Sequence, residues 1–127
     1  MIMNVEGCKR LSVIVVASAV NEYASWLAQK ELFPRGIKDI RVYAKKNNKK
    51  LEPLCSYYIR AQREGEFAYN FLKSPYAQVW TSYTADELLS FARRKSETLK
   101  QFYLEGKRIV LRSWVEWEYS EEDEEQT

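Results

Sequence analysis

Between residues 11 and 50 the apolar positions pass from a continuous run, to a helical period, to strict alternation. Residues 11–16, LSVIVV, are a short β-branched run of the kind that fills a buried central strand. After Ser18, a good N-cap, Val20, Tyr23, Ala24, Leu27 and Ala28 recur at helical spacing with Trp26 to one side. Pro34 and Gly36 stop that helix. Alternation then places Ile40, Val42 and Ala44 on one face and Arg41, Tyr43 and Lys45 on the other, which predicts a second strand. A strand–helix–strand unit of this length sets its two strands parallel and adjacent, with the helix across one face.

The next segment reads two ways. As a helix, Leu51, Leu54, Cys55, Tyr58, Ile59 and Gln62 fall on one stripe, with Pro53 tolerated in the first turn and an end near Gly65. As a strand, Cys55, Tyr57 and Ile59 would share a face while Leu54 and Tyr58 would not, so the helix fits better. Phe67, Tyr69 and Phe71 alternate, Lys73-Ser74-Pro75 resembles a turn, and residues 76–81 can pair back as a hairpin. Thr84-Ala85-Asp86-Glu87 is a capping-box pattern that opens a helix through Leu88, Phe91, Ala92, Leu99 and Phe102, closed by Gly106. Ile109, Leu111, Ser113, Val115, Trp117 and Tyr119 then share one face of a final strand, with Val110, Arg112, Trp114, Glu116 and Glu118 on the other.

These elements predict an α+β fold, a small mixed sheet with two or three helices. If residues 52–60 are a strand, the order becomes a ferredoxin-like β-α-β-β-α-β. The 127 residues suit a single domain over 1–119, followed by an acidic, disordered-type tail over 120–127. A chain of this size buries enough surface to need neither disulfide nor metal.

Charge changes the picture more than composition does. The net charge of +2 conceals a basic body and an acidic end: residues 1–110 hold 19 Lys/Arg against 11 Asp/Glu, and residues 111–127 hold 1 against 7. A basic body suits a polyanionic partner, although solvated lysines give the same count. There is no histidine, which excludes His-dependent triads and the usual His-containing metal sites. Cys8 and Cys55 stand 47 residues apart without ligand spacing, a pattern of buried free thiols more often than of a disulfide. Lys9-Arg10, the apolar run and Ala17-Ser18-Ala19 superficially resemble a signal peptide, but the apolar core is short and β-branched. No run approaches the roughly 20 residues of a membrane helix. A soluble, cytoplasmic protein with no membrane contact is expected.

Catalytic chemistry is thinly supplied. Glu64 with Glu66 and Asp86 with Glu87 are carboxylate pairs without a companion base or nucleophile, and the four glycines form no phosphate loop. The segment Lys45-Lys46-Asn47-Asn48-Lys49-Lys50 has the composition of a phosphate-binding loop, cations with amide donors between them. Arg41 on the preceding strand, and Arg60 with Arg63 on the following helix, would extend it. Arg93-Arg94-Lys95 reads as the solvated face of an amphipathic helix. The aromatics of residues 67–83 could stack on bases, but more often build a core or an interface.

The order of features resembles the Alba family of small archaeal and eukaryotic chromatin and RNA-binding proteins. Val13-Ile14-Val15-Val16, then Val20-Asn21-Glu22-Tyr23, then Gly36-Ile37-Lys38-Asp39-Ile40-Arg41-Val42-Tyr43-Ala44-Lys45 carry the likeness, over residues 11–64. It implies a β-α-β-α start, dimerisation and nucleic-acid contact through loops and a β-hairpin arm. The chain departs from the family at Ala17-Ser18-Ala19, where paired lysines are usual, and at Lys46-Asn47-Asn48-Lys49, where an Arg-Gly-Arg-like sequence is usual. The helix and strand from Thr84 onward are additions to that plan.

Two functions follow as expectations. The first is non-catalytic binding of RNA or duplex DNA through residues 45–50, with no cofactor and no metal. The second is a protein–protein module, such as an adaptor, assembly subunit or inhibitor protein, presenting Tyr69, Tyr76, Trp80 and Trp114 to a homodimer mate or another partner.

Overall fold

A computed structural model describes residues 5–104, 108–109 and 118–119. Five helices account for the described body: α1 (Val5–Leu32), α2 (Ile37–Lys46), α3 (Leu51–Leu72), α4 (Pro75–Thr81) and α5 (Ala85–Leu104). Two residues at β1 (Arg108–Ile109) pair antiparallel with two at β2 (Glu118–Tyr119), with Arg108 opposite Tyr119. The expected α+β fold with its mixed sheet is therefore wrong, and so is the ferredoxin-like alternative, because residues 52–60 are helical. The Alba-like β-α-β-α start fails with them, since residues 13–16 and 40–45 are helical.

The error begins at residues 11–16, which are an inner stretch of α1. This helix is the centre of the bundle: α3 lies along one side, α5 along another, and α4 packs near its N-terminal half. Within this run Val16 is buried while Val13 and Val15 are exposed, so the apolar residues spread beyond the buried stripe and, being β-branched, imitate a strand. Weaker helix propensity costs at most about 0.7 kcal/mol per residue. Burying a large aliphatic side chain returns about 1.5–3 kcal/mol, so Val16, at 2% exposure, repays its place. Ser18 consequently sits inside a helix, its hydroxyl 3.4 Å from the Glu22 carboxylate, and caps nothing.

Residues 40–45 alternate in polarity yet fold as α2, because its buried residues are Ile40 and Ala44, four apart, with Ile37 and Tyr43 half-buried beside them. Val42, which a strand would have buried with Ile40 and Ala44, is 60% exposed. Between α1 and α2 the chain turns at Pro34 and Gly36, as expected, and Gly36 takes a φ of 67° that suits glycine.

The helix expected from Leu51 is present but runs past Gly65 to Leu72. Gly65 is buried against α1, where a Cβ would collide with the Cβ of Trp26. The glycine is thus a close-approach residue between two helices and not a helix end. The expected hairpin over 67–81 is the end of α3 followed by α4, with Pro75 in the first turn of α4, where a missing N–H costs nothing. The capping box is as predicted: the Thr84 amide donates to Glu87 Oε1 (2.9 Å) and the Glu87 amide to Thr84 Oγ1 (3.1 Å). The two ends of the expected final strand pair with each other, which one continuous strand cannot do. Gly106 and Trp114 lie outside the described residues.

Two apolar clusters meet in the middle of α1. One joins Ala24 and Ala28 to Phe33, Ile40, Ala92 and Leu99; the other joins Val16 and Ala19 to Ala68, Leu72, Ala77 and Leu88. Val20 and Tyr23 pack against both, so the core is continuous. The first cluster seats α2 at one end of the bundle and the second seats α4 at the other.

Candidate interaction surfaces

The α2 end is cationic. Lys38, Arg41, Lys45, Lys46 and Lys50 are exposed, and Lys49 is half-buried. Arg41, Lys45, Lys46 and Lys50 make no ion pair with any described residue. Arg35 is spent on Asp39: its backbone amide donates to Oδ2 at 2.8 Å and its Nε to Oδ1 at 2.7 Å. Those hydrogen bonds hold the Asp39 carboxyl below the usual carboxylate range.

The 45–50 segment is not the free loop that its composition suggests. Lys45 and Lys46 complete the last turn of α2, where cations complement the helix dipole. Asn47 donates its side-chain Nδ2 to the Tyr43 carbonyl at 2.9 Å. Asn48 takes the left-handed conformation, φ 54°, and the Lys49 amide closes back on the Ala44 carbonyl at 2.8 Å. Both asparagines are thus occupied in ending a helix. Arg60 and Arg63 are exposed on α3, but Arg60 pairs with Glu64 at 3.6 Å. At 1.5 Å per residue they begin about 15 Å along the helix from Lys50. The structure therefore joins Arg41 to residues 45–50 and leaves Arg60 and Arg63 apart.

The α4 end is aromatic. Ala77 is fully buried, while Tyr76 is 66% exposed, Val79 77% and Trp80 39%. This short helix turns its small residue inward and its large ones outward, the reverse of a helix that merely covers a core. Trp80 is braced by Phe71 of α3, ring centroids 5.8 Å apart, and by Tyr76 at 6.2 Å. Phe67, one turn before Phe71, is also strongly exposed, and Tyr83 continues the row beyond α4 against Phe91. Together they expose an apolar area on the order of a few hundred Å², the size of the largest patch on an ordinary monomer.

Backbone and caps hold α4 in place. The Ser74 hydroxyl donates to the Phe71 carbonyl at 2.6 Å, and the Thr81 hydroxyl to that of Ala77 at 2.8 Å. Ser82 ends the helix in the left-handed region, its amide on the Gln78 carbonyl.

Of the aromatics singled out from sequence, Tyr76 and Trp80 stand together on this surface. Tyr69 does not: it is half-buried against Tyr23 at 5.0 Å, with the Lys73 ammonium 5.0 Å above its ring. Phe67, Val79 and Tyr83 were missed. For Val79 the signal was present, since 76, 79 and 80 share a face once the segment is read at helical period.

Between the two ends Glu22 and Glu64 are partly buried acids. Burial pushes the Glu22 carboxyl above the usual range, the nearby Glu64 charge pushes it further, and the Ser18 hydroxyl offsets part of the rise. No cluster of His, Cys, Asp and Glu among the described residues could hold a metal ion. Cys55 is a half-buried free thiol. No helix among the described residues is long and apolar enough to cross a membrane. Compared with protein-family models, with curated proteins and with solved structures, the chain matches none.

Proposed function

We propose that this protein is a non-catalytic interaction module that binds a partner protein through the outward face of α4 and the adjoining Phe67. The carrying observation is the inverted polarity of α4, Ala77 inside with Tyr76 and Val79 outside. Large aromatic anchors with polar neighbours, here the exposed Arg63, Glu66, Lys73 and Asp86 close by in the sequence, are the usual make-up of a binding hot spot. Tyr and Trp give such a surface area at little entropic cost, and the Phe71–Trp80–Tyr76 packing reduces that cost further. The free Cys55 thiol suits a reducing, cytoplasmic setting. Phosphate binding at residues 45–50 is the weaker reading, because the Asn47 side-chain amide is engaged in capping and Arg60 and Arg63 stand away from the lysines.

The test is a photo-crosslinking comparison in cells, with a photoreactive residue at position 79 in one version of the full chain and at position 45 in another. A discrete protein adduct from position 79 is expected, abolished by Tyr76→Ser in the same chain. Adducts only from position 45, to nucleic acid or protein, would overturn the reading. An adduct of the chain with itself would show that the partner is a second copy.

A further inference from the structure

Area, charge and rigidity bear on what covers the α4 face. Phe67, Tyr76, Val79, Trp80 and Tyr83 are all exposed. With a whole aromatic side chain at about 150–250 Å², the open fractions of the five leave roughly 500 Å² of mainly apolar surface. Two such faces together bury roughly 1,000 Å², and their polar neighbours take the total to the about 1,200 Å² at which stable interfaces begin. A second copy therefore suffices to complete an interface, with no surface beyond the one described.

Charge favours contact of the face with itself. In a twofold contact a residue i of one copy meets j of the other while j meets i, so the surface must carry both signs. The exposed charged residues of this stretch are mixed: Arg63 and Lys73 against Glu66, Asp86 and Glu87. The α2 end exposes Lys38, Arg41, Lys45, Lys46 and Lys50, and against its own copy it would set like charges together. The α4 face is also preformed. Tyr76, Val79 and Trp80 stand at i, i+3 and i+4, one ridge of a helix that packs on another. Phe71 braces Trp80, and Ser82 fixes the end of the helix, so little freedom remains to be lost on association.

We propose that the partner seated on α4 is a second copy of this chain, in an isologous homodimer with Val79 at the twofold axis. Val79 is mid-row and the most exposed of the five, so the axis sets it opposite its own mate. The inference rests on α4 being the binding face and names its occupant.

The test is sedimentation equilibrium of the full chain from about 1 to about 500 µM, where the mass should rise from one chain toward two. Tyr76→Ser/Val79→Ser should weaken the dimer at least about thirtyfold, with its helical circular dichroism unchanged. Val79→Lys and Val79→Glu, both at an exposed position, should each be monomeric alone and should dimerise when mixed in equal amounts, because position 79 faces itself. A native chain of one-chain mass throughout would overturn the proposal. So would a dimer untouched by Tyr76→Ser/Val79→Ser, or no recovery on mixing the two charged variants. Partner binding at α4 fails separately. A monomeric native chain that crosslinks from position 79 to a different protein refutes the second copy alone, whereas a monomeric chain with no crosslink from position 79 refutes both.

Discussion

The two ends of the bundle solve the same folding problem with opposite surfaces. Each seats a short helix on the bundle, α2 chiefly against α3 and α4 against α1, by burying small or aliphatic residues, Ile40 and Ala44 in α2 and Ala77 in α4. Outside, α2 presents cations, which cost nothing to expose and complement its own C-terminal dipole. α4 presents Tyr76, Val79 and Trp80, which gain nothing from water. A cationic exterior needs no function to explain it, whereas an apolar exterior of this size calls for one. This contrast is why partner binding is proposed at α4 and not at the α2 end.

The largest effects should come from removing the support beneath each end. Leu72→Ala under α4 and Ile40→Ala on the buried face of α2, both fully buried, should each cost about 2–5 kcal/mol in chemical denaturation. Because Val20 and Tyr23 link the two clusters, both variants should still unfold in one transition; two separated transitions would show that the ends are independent. Gly65→Ala, where α3 meets Trp26 midway between the ends, should lower stability by about 1–3 kcal/mol through overpacking, despite alanine's better helix propensity. Thr84→Ala should lose about 1 kcal/mol as the capping box of α5 opens, read from the denaturation midpoint.

At the surface the contrast should reverse. The double variant Tyr76→Ser/Val79→Ser should change stability by no more than about 0.5 kcal/mol per site while removing the apolar face. A large loss of stability would mean that α4 is a lid on the core and not a docking surface. The smallest effect concerns Glu22. Its folded pKa is raised, so the protonated form is the one the fold favours. Its contribution to stability is present below the unfolded value of about 4.5 and is lost as pH rises through the folded value. Glu22→Gln should therefore be slightly stabilising at pH 7 and flatten the stability profile just above pH 4.5.

What the sequence disclosed depended on how many sides each helix buries. α5 is legible because it buries one stripe and begins with a capping box that needs no tertiary context. α3 is legible for most of its length, but Gly65 looks like a stop until its contact with Trp26 is seen. α1 is misread because its apolar run continues over the exposed Val13 and Val15, which hides the helical period, and β-branched residues then point to a strand. α2 is misread because residues 40–45 also fit an alternating template, and only the exposure of Val42 separates the two. Tyr76 and Trp80 stand out in the sequence as aromatics, but the surface they share with Val79 and Phe67 depends on residues 75–81 being a helix.

The central claim, that the α4 face binds a partner protein, is tested most directly by calorimetric titration. The protein crosslinked from position 79 would be purified and titrated against the native full chain and against Tyr76→Ser/Val79→Ser. The account predicts that the double variant binds at least about thirtyfold more weakly, the loss of a hot spot of 2 kcal/mol or more, with its fold and melting behaviour unchanged. Equal affinity of the two chains for that partner would contradict it.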